Sequence, residues 1–218
     1  MRIRYNRAML KSPFSPRLLA VAVVALILGA AAAWLTDSVK LTRSAQGTEG
    51  LLWPPPKTLE GFALLDQSGA PFTPERLTGK WSVLFFGFTH CPDICPSTLR
   101  LLEKASPAFP ADTQVVFVSV DPERDTPETV AQYVRFFHPG FIGVTGTPES
   151  MAEFTRSVGV LSMRTEADEH GNYSVDHSAA LFLVDPRRRL VGIVTQPFTE
   201  ESVSRLYRDI RKFVERQG

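Results

Sequence analysis

The sequence predicts an α/β domain, a central mixed sheet flanked by helices, with an N-terminal transmembrane helix ahead of it. Three observations predict the domain. Val83 to Phe88 and Val115 to Val120 are short apolar runs, as expected of strands covered on both faces. The second run leads to Thr126-Pro127-Glu128, which reads as an N-cap, a proline at the first helical position and an acid in the first turn. Ala179 to Val184 and Leu190 to Val194 are joined only by Asp185-Pro186-Arg187-Arg188-Arg189, and a connection this short means an antiparallel hairpin.

In chain order, Arg2, Arg4, Arg7, Lys11 and Arg17 precede an uncharged stretch from Leu18 to Leu35. As a helix that stretch reaches about 27 Å, close to the roughly 30 Å hydrocarbon core. Residues 1–17 therefore read as a cytoplasmic basic flank and 18–35 as a transmembrane anchor, or else a signal peptide cut near Ala31-Ala32-Ala33. Either way, everything after Thr36 is expected to be exported. The expected location is the inner membrane, single-pass, with the N-terminus cytoplasmic and the soluble domain periplasmic in a bacterium. A disulfide can persist in that compartment. Residues 36–58 read as a tether, in which Trp53-Pro54-Pro55-Pro56 is extended polyproline-like chain.

Residues 59–218 read as one domain. Gly61 to Leu65 is a short strand and Asp66-Gln67-Ser68-Gly69 a turn. Trp81 to Phe88 is a buried strand, followed by two cysteines and a helix from Ser97 to Ser106. After the second buried strand a helix runs to about Phe137, with Val130, Tyr133, Val134 and Phe137 on one face. Phe141 to Thr145 is a short strand, and Thr147-Pro148-Glu149 opens another helix. After the hairpin, Thr199 caps a last helix in which Val203, Leu206, Tyr207, Ile210, Phe213 and Val214 keep helical spacing. Strand, cysteine turn, helix, strand, helix, then hairpin and helix is the thioredoxin-like plan.

The formal net charge of +1 argues against nucleic acid as a partner. Two cysteines are too few for a disulfide scaffold, and the domain is long enough to bury its own core. The pair Cys91 and Cys95, in Phe88-Thr89-His90-Cys91-Pro92-Asp93-Ile94-Cys95-Pro96, is therefore expected to carry chemistry. Residues i and i+4 on a helical turn have Cα atoms about 6 Å apart, which permits a disulfide or convergence of both sulfurs on one metal. A helix N-terminus favours thiolate. Thiolates are soft ligands for Cu(I) and the attacking species in disulfide exchange, so both roles stay open.

Four histidines could supply a third donor. His177 lies in Val175-Asp176-His177-Ser178, just before a buried strand, where the fold plan brings it against the cysteine turn; read alone, it is a loop histidine bonded to backbone. His90 reads as packing under the turn, His138 as a cationic helix cap and His170 as solvated. Asp121 and Asp125 read as a strand-end turn and helix cap, or as groups tuning the cysteines. Asp93 would raise the cysteine pKa or contact a partner, and Asp176 would orient His177. Met151 and Met163 read as packing rather than thioether ligands.

At Phe86 to Pro96, Ser119-Val120-Asp121-Pro122-Glu123-Arg124-Asp125-Thr126-Pro127 and Val175-Asp176-His177-Ser178, the chain resembles the Sco/SenC family of membrane-anchored copper proteins. The likeness runs from about Leu59 to the C-terminus. It implies a thioredoxin-like fold and copper, Cu(I) or Cu(II), held by Cys91, Cys95 and His177. It also implies a partner, the copper-site subunit of cytochrome c oxidase, with an upstream copper donor or thiol reductant. The expected function is a membrane-anchored copper chaperone for the dinuclear copper centre. The alternative is a thiol–disulfide oxidoreductase with Cys91 and Cys95 as its redox pair, and a structural disulfide is the third possibility.

Overall fold

The computed structural model describes residues 50–197 and 199–217, together with Val23 and Ala25. The chain divides into two units, Met1–Gln46 and Gly47–Gly218. In the first unit Val23 and Ala25 are helical. The rest of the expected anchor, the basic flank and tether residues 36–49 lie outside the described residues. Among the described residues no helix is long and apolar enough to cross a membrane.

The second unit is built on ten strands: β1 (Gly50–Thr58), β2 (Leu64–Asp66), β3 (Pro71–Phe72), β4 (Trp81–Gly87), β5 (Thr113–Ser119), β6 (Ile142–Thr145), β7 (Ser162–Arg164), β8 (Val175–His177), β9 (Ala180–Val184) and β10 (Arg189–Thr195). Eight of them form one sheet in the order β1-β10-β9-β4-β5-β6-β2-β3, and β7 pairs with β8 apart from it. Strands β4, β5 and β6 run parallel, while β9, β10 and β2 pair antiparallel around them. The mixed sheet follows from the connections. Helices separate the parallel strands, whereas short turns join β2 to β3 and β9 to β10 as antiparallel hairpins.

Among the described residues four α-helices cover the sheet: α1 (Ile94–Ala105), α2 (Pro127–Phe137), α3 (Pro148–Val158) and α4 (Glu200–Gln217). Strand β4 shows how the two faces are set. Trp81, Val83 and Phe85 point into the core formed with α1, α2 and α4, while Leu84 and Phe86 point into the core formed with α3. Burying each such side chain contributes about 1.5–3 kcal/mol. Each of the last three helix starts follows the capping signals. Thr126 accepts from Thr129 N in α2, Thr147 and Ser150 form a capping box in α3, and Thr199 and Ser202 do the same in α4. Gly159 ends α3 in the left-handed conformation, at φ 84°.

Three elements differ from expectation. The first helix begins at Ile94 rather than Ser97, because Pro96 falls within its first turn, where a missing N–H costs nothing. Cys95 is consequently part of the helix. The end of the expected tether, residues 50–58, is strand β1 on the edge of the sheet. Its pairing with β10 holds at Gly50 to Leu52 and at Lys57 to Thr58, with a register break between Leu52 and Lys57. That break spans the three prolines, which have no N–H to donate. The short β7–β8 pair carries too little apolar periodicity to be read from sequence.

The β9–β10 turn lacks a glycine, and Arg188 takes its place at φ 64°. Asp185 holds the turn. Its carboxylate accepts from Arg187 N, Arg189 N and the Arg189 guanidinium, and its carbonyl accepts from Arg188 N at 2.8 Å. Left-handed backbone costs a Cβ-bearing residue about 1–2 kcal/mol, and part of that returns as unfolded-state entropy when glycine replaces it. Arg188→Gly should therefore stabilise the domain by about 0.5–1 kcal/mol, read as a later urea midpoint at unchanged slope. An earlier midpoint would show that strain is not what this position contributes.

Candidate metal centre

The cysteine turn is shaped from below. A Cβ on Gly87, at the end of β4, would lie 2.8 Å from Cys95 Sγ and 2.9 Å from the Phe117 ring. Only glycine lets the strand end pass under the thiol. The turn is then pinned by Asp125, which is fully buried. Its carboxylate accepts from Thr89 N at 3.0 Å, Thr89 Oγ1 at 2.6 Å and Ser119 Oγ at 2.6 Å. Its carbonyl accepts from Thr145 Oγ1 at 2.7 Å. One residue thus joins the cysteine loop to the ends of β5 and β6.

Within the turn, Cys91 Sγ accepts from Cys95 N at 3.4 Å. The sulfur satisfies a backbone donor of the first helical turn, a task that the N-cap Asp93 leaves undone. Both cysteines are free thiols; Cys95 is buried and Cys91 is half-buried. Cys91 and His177 share the wall of a cleft of about 260 Å³, with Phe88, Pro92, Asp93, Ile94 and residues 174–176. Cys95 lies beneath it, with its Sγ 3.6 Å from His177 Nε2.

His177 arrives at the end of β8, which pairs with β7 so that His177 faces Ser162. Its ring stands edge-on to Phe88 at 6.0 Å, and Nδ1 lies 3.4 Å from the Ser178 carbonyl. A proton on Nδ1 facing that carbonyl leaves Nε2 free to accept from the Cys95 thiol. Burial lowers the pKa of His177, which favours neutral imidazole. Burial also pushes the Cys95 thiol well above its usual range, with a further rise from the Cys91 contact and a partial offset from the Phe88 backbone. The expected thiolate-favouring effect of the helix N-terminus is overridden at Cys95, because the apolar core penalises the charged form more strongly.

The other candidates separate from this site. His90 is exposed rather than packed under the turn, with Nδ1 3.1 Å from Thr89 Oγ1 and 3.9 Å from Asp125. The ring of His138 accepts from Gly140 N at 3.0 Å rather than capping helix carbonyls as a cation. His170 is exposed. Asp176 is exposed, and the second nitrogen of His177 faces the Ser178 carbonyl in its place. Asp93 is also exposed, bonded to Ser97. Met151 is buried in the α3 core, and Met163 is exposed on β7. Among the described residues no three His, Cys, Asp or Glu side chains are gathered so as to hold a metal ion, so Cys91, Cys95 and His177 are not a preformed site. Sequence reasoning left out Gly87 and Tyr173 and gave Arg124 no role. Gly87 did carry a signal, as the glycine that ends the bulky apolar run Val83 to Phe86.

A family model described as SCO1/SenC matches residues 54–215. Protein SCO1 homolog 1, mitochondrial, of Arabidopsis thaliana is 45% identical over 134 residues, 60% of this chain and 40% of that protein. Protein SCO2 homolog, mitochondrial, of Bos taurus is 40% identical over 179 residues, 78% of this chain and 65% of that protein. The chain thus spans less than two thirds of the length of these curated relatives. Among solved structures, the crystal structure of Arabidopsis thaliana ScoI with copper bound is 40% identical, with a TM-score of 0.64 over 70% of this chain and 99% of that one. The crystal structure of yeast Sco1 with copper bound is 33% identical, with a TM-score of 0.62 over 72% of this chain and 87% of that one.

The unequal burial of the two thiols makes a kinetic prediction. Under native conditions iodoacetamide should label Cys91 at least about tenfold faster than Cys95, since reactivity follows exposure and thiolate character. Mass spectrometry of peptides at timed quenches reads the order, and equal rates would contradict the buried position of Cys95.

Proposed function

The chain belongs to the SCO1/SenC family, and from that premise we propose that it is a copper chaperone whose cargo is held by Cys91, Cys95 and His177. The observation that carries this reading is the 3.6 Å approach of Cys95 Sγ to His177 Nε2 beneath a cleft walled by Cys91. The donor chemistry fits. Two sulfurs are soft ligands suited to Cu(I), and a neutral imidazole adds the borderline donor that Cu(II) favours. An incoming ion meets Cys91 and His177 on the cleft wall before it reaches Cys95. Binding there must release the proton that burial keeps on Cys95, so uptake couples to proton release.

The recipient in this reading is the copper-site subunit of cytochrome c oxidase, and the cargo completes its dinuclear copper centre. Residues 18–35 anchor the protein in the inner membrane, with the domain on the exported side. The cysteine pair also supports thiol–disulfide exchange with an exported partner, since Cys91 is accessible and a second thiol lies beneath it. His177 separates the two roles, because exchange needs no nitrogen donor.

The test is anaerobic copper titration of the reduced domain, with spectra for both oxidation states. One copper should bind per chain, and oxidation of Cys91 and Cys95 to a disulfide should abolish the site. His177→Ala should weaken Cu(II) by about 10-fold or more and Cu(I) far less. Equal copper retention by oxidised and reduced protein after desalting would defeat the chaperone reading.

Anchoring has its own test. The full chain should stay with membranes through a high-salt wash, since salt screens charge but leaves apolar burial intact. A mature N-terminus near Trp34, with the protein released into the soluble fraction, would make residues 18–35 a cleaved signal.

A further inference from the structure

We infer that Tyr173, gripped by Arg124 and Arg164, is the positioning residue that sets where His177 stands relative to the cysteines. The inference deepens the copper reading above and rests on it. The segment between β7 and β8 has no strong apolar anchor of its own, since residues 162–172 are mostly exposed. Tyr173 fixes its returning limb. The Arg124 guanidinium lies 3.7 Å from the Tyr173 ring centroid and the Arg164 guanidinium 3.6 Å from it. An aromatic ring with a flat cation against it gains both electrostatic and stacking attraction.

Each part of this clamp is tied to the cysteine side of the site. Tyr173 OH donates to Asp121 Oδ1 at 2.8 Å, and Arg124 Nε donates to Asp121 Oδ2 at 2.5 Å. Arg124 also donates from its guanidinium to the Tyr173 carbonyl at 3.2 Å. Arg164 is held by Glu123 at 2.7 Å. Arg124 further reaches over the Phe88 ring at 5.9 Å, and Phe88 is the ring that meets His177 edge-on. Its neighbour in sequence, Asp125, holds Thr89 in the cysteine loop. The turn from Asp121 to Asp125 therefore grips the histidine limb with one end and the cysteine loop with the other. The remaining Arg124 nitrogen is buried without a partner among the described residues, so the guanidinium is held mainly by rings and carboxylate.

A positioning role predicts a specific pattern. Tyr173→Ala should weaken Cu(II) by about 10-fold, within the range expected for groups that orient a ligand, and change Cu(I) by less than about threefold. Tyr173→Phe keeps both stacked faces and should recover most of the loss. The deciding measurement is a double-mutant cycle with His177→Ala: in that background Tyr173→Ala should cost no further Cu(II) affinity. An equal cost with and without His177, or equal losses for both oxidation states, would overturn the assignment. If Tyr173→Ala fails to fold, Arg124→Lys takes its place, since it keeps the charge and loses the flat face. A metal-free readout runs in parallel. The imidazole nitrogen resonances of His177 should shift or broaden in Tyr173→Ala and stay near wild type in Tyr173→Phe. Wild-type protein that binds no copper would sink the chaperone reading. The imidazole resonances would still decide the clamp, and unmoved signals would reject it.

Discussion

The buried carboxylate of Asp125 is the constraint on which the rest of the site depends. It accepts three hydrogen bonds from two separate segments, and its own carbonyl receives a fourth from a third segment. A hydrogen bond to a buried polar group contributes about 0.5–1.5 kcal/mol, and leaving such a group unpaired costs about 1–3 kcal/mol. The group therefore enforces its partners: it is tolerable in the core only while Thr89 and Ser119 stay in place. The cysteine loop is irregular backbone with no ladder of its own, and Asp125 ties it to the end of β5.

The chemistry above Asp125 is set by burial acting on two groups in opposite senses. Apolar surroundings favour the neutral form of each, so Cys95 keeps its proton while His177 gives one up. A neutral thiol beside a neutral imidazole is stable in the core without a counter-charge. In the copper reading proposed above, the same pair would become a donor set once a cation takes the place of the thiol proton.

The features legible in the sequence were those written in local order. The strand before the cysteines, the Thr-Pro-Glu helix starts and the β9–β10 hairpin each depend on residues a few positions apart, so periodicity and capping chemistry expose them. The approach of His177 to the cysteine turn was legible because the order of elements implies the long-range meeting. The bonds of Asp125 were not. Its partners lie 36, 6 and 20 residues away, and nothing in the sequence around a strand end says which way a carboxylate turns. The buried state of Cys95 was missed for a related reason. A helix starting at Ser97 would have left the thiol in a polar turn, whereas the start at Ile94 rolls it onto the core-facing side beside Leu99 and Leu102. Tyr173 carried no local signal at all, because its partners come from the loop after β5 and from the end of β7.

The prolines of β1 have a consequence beyond their local pairing. An open sheet ends in two strands whose outer backbone groups can recruit another chain, and a long flat edge is a template for aggregation. Here one end of the eight-stranded sheet is β1, in which Pro54, Pro55 and Pro56 leave three successive positions without a donor. The other end is β3, only two residues long and itself opening with Pro71. Neither rim offers an uninterrupted row of donors to a neighbour. The rims of the eight-stranded sheet are thus poor templates for joining a second copy edge to edge.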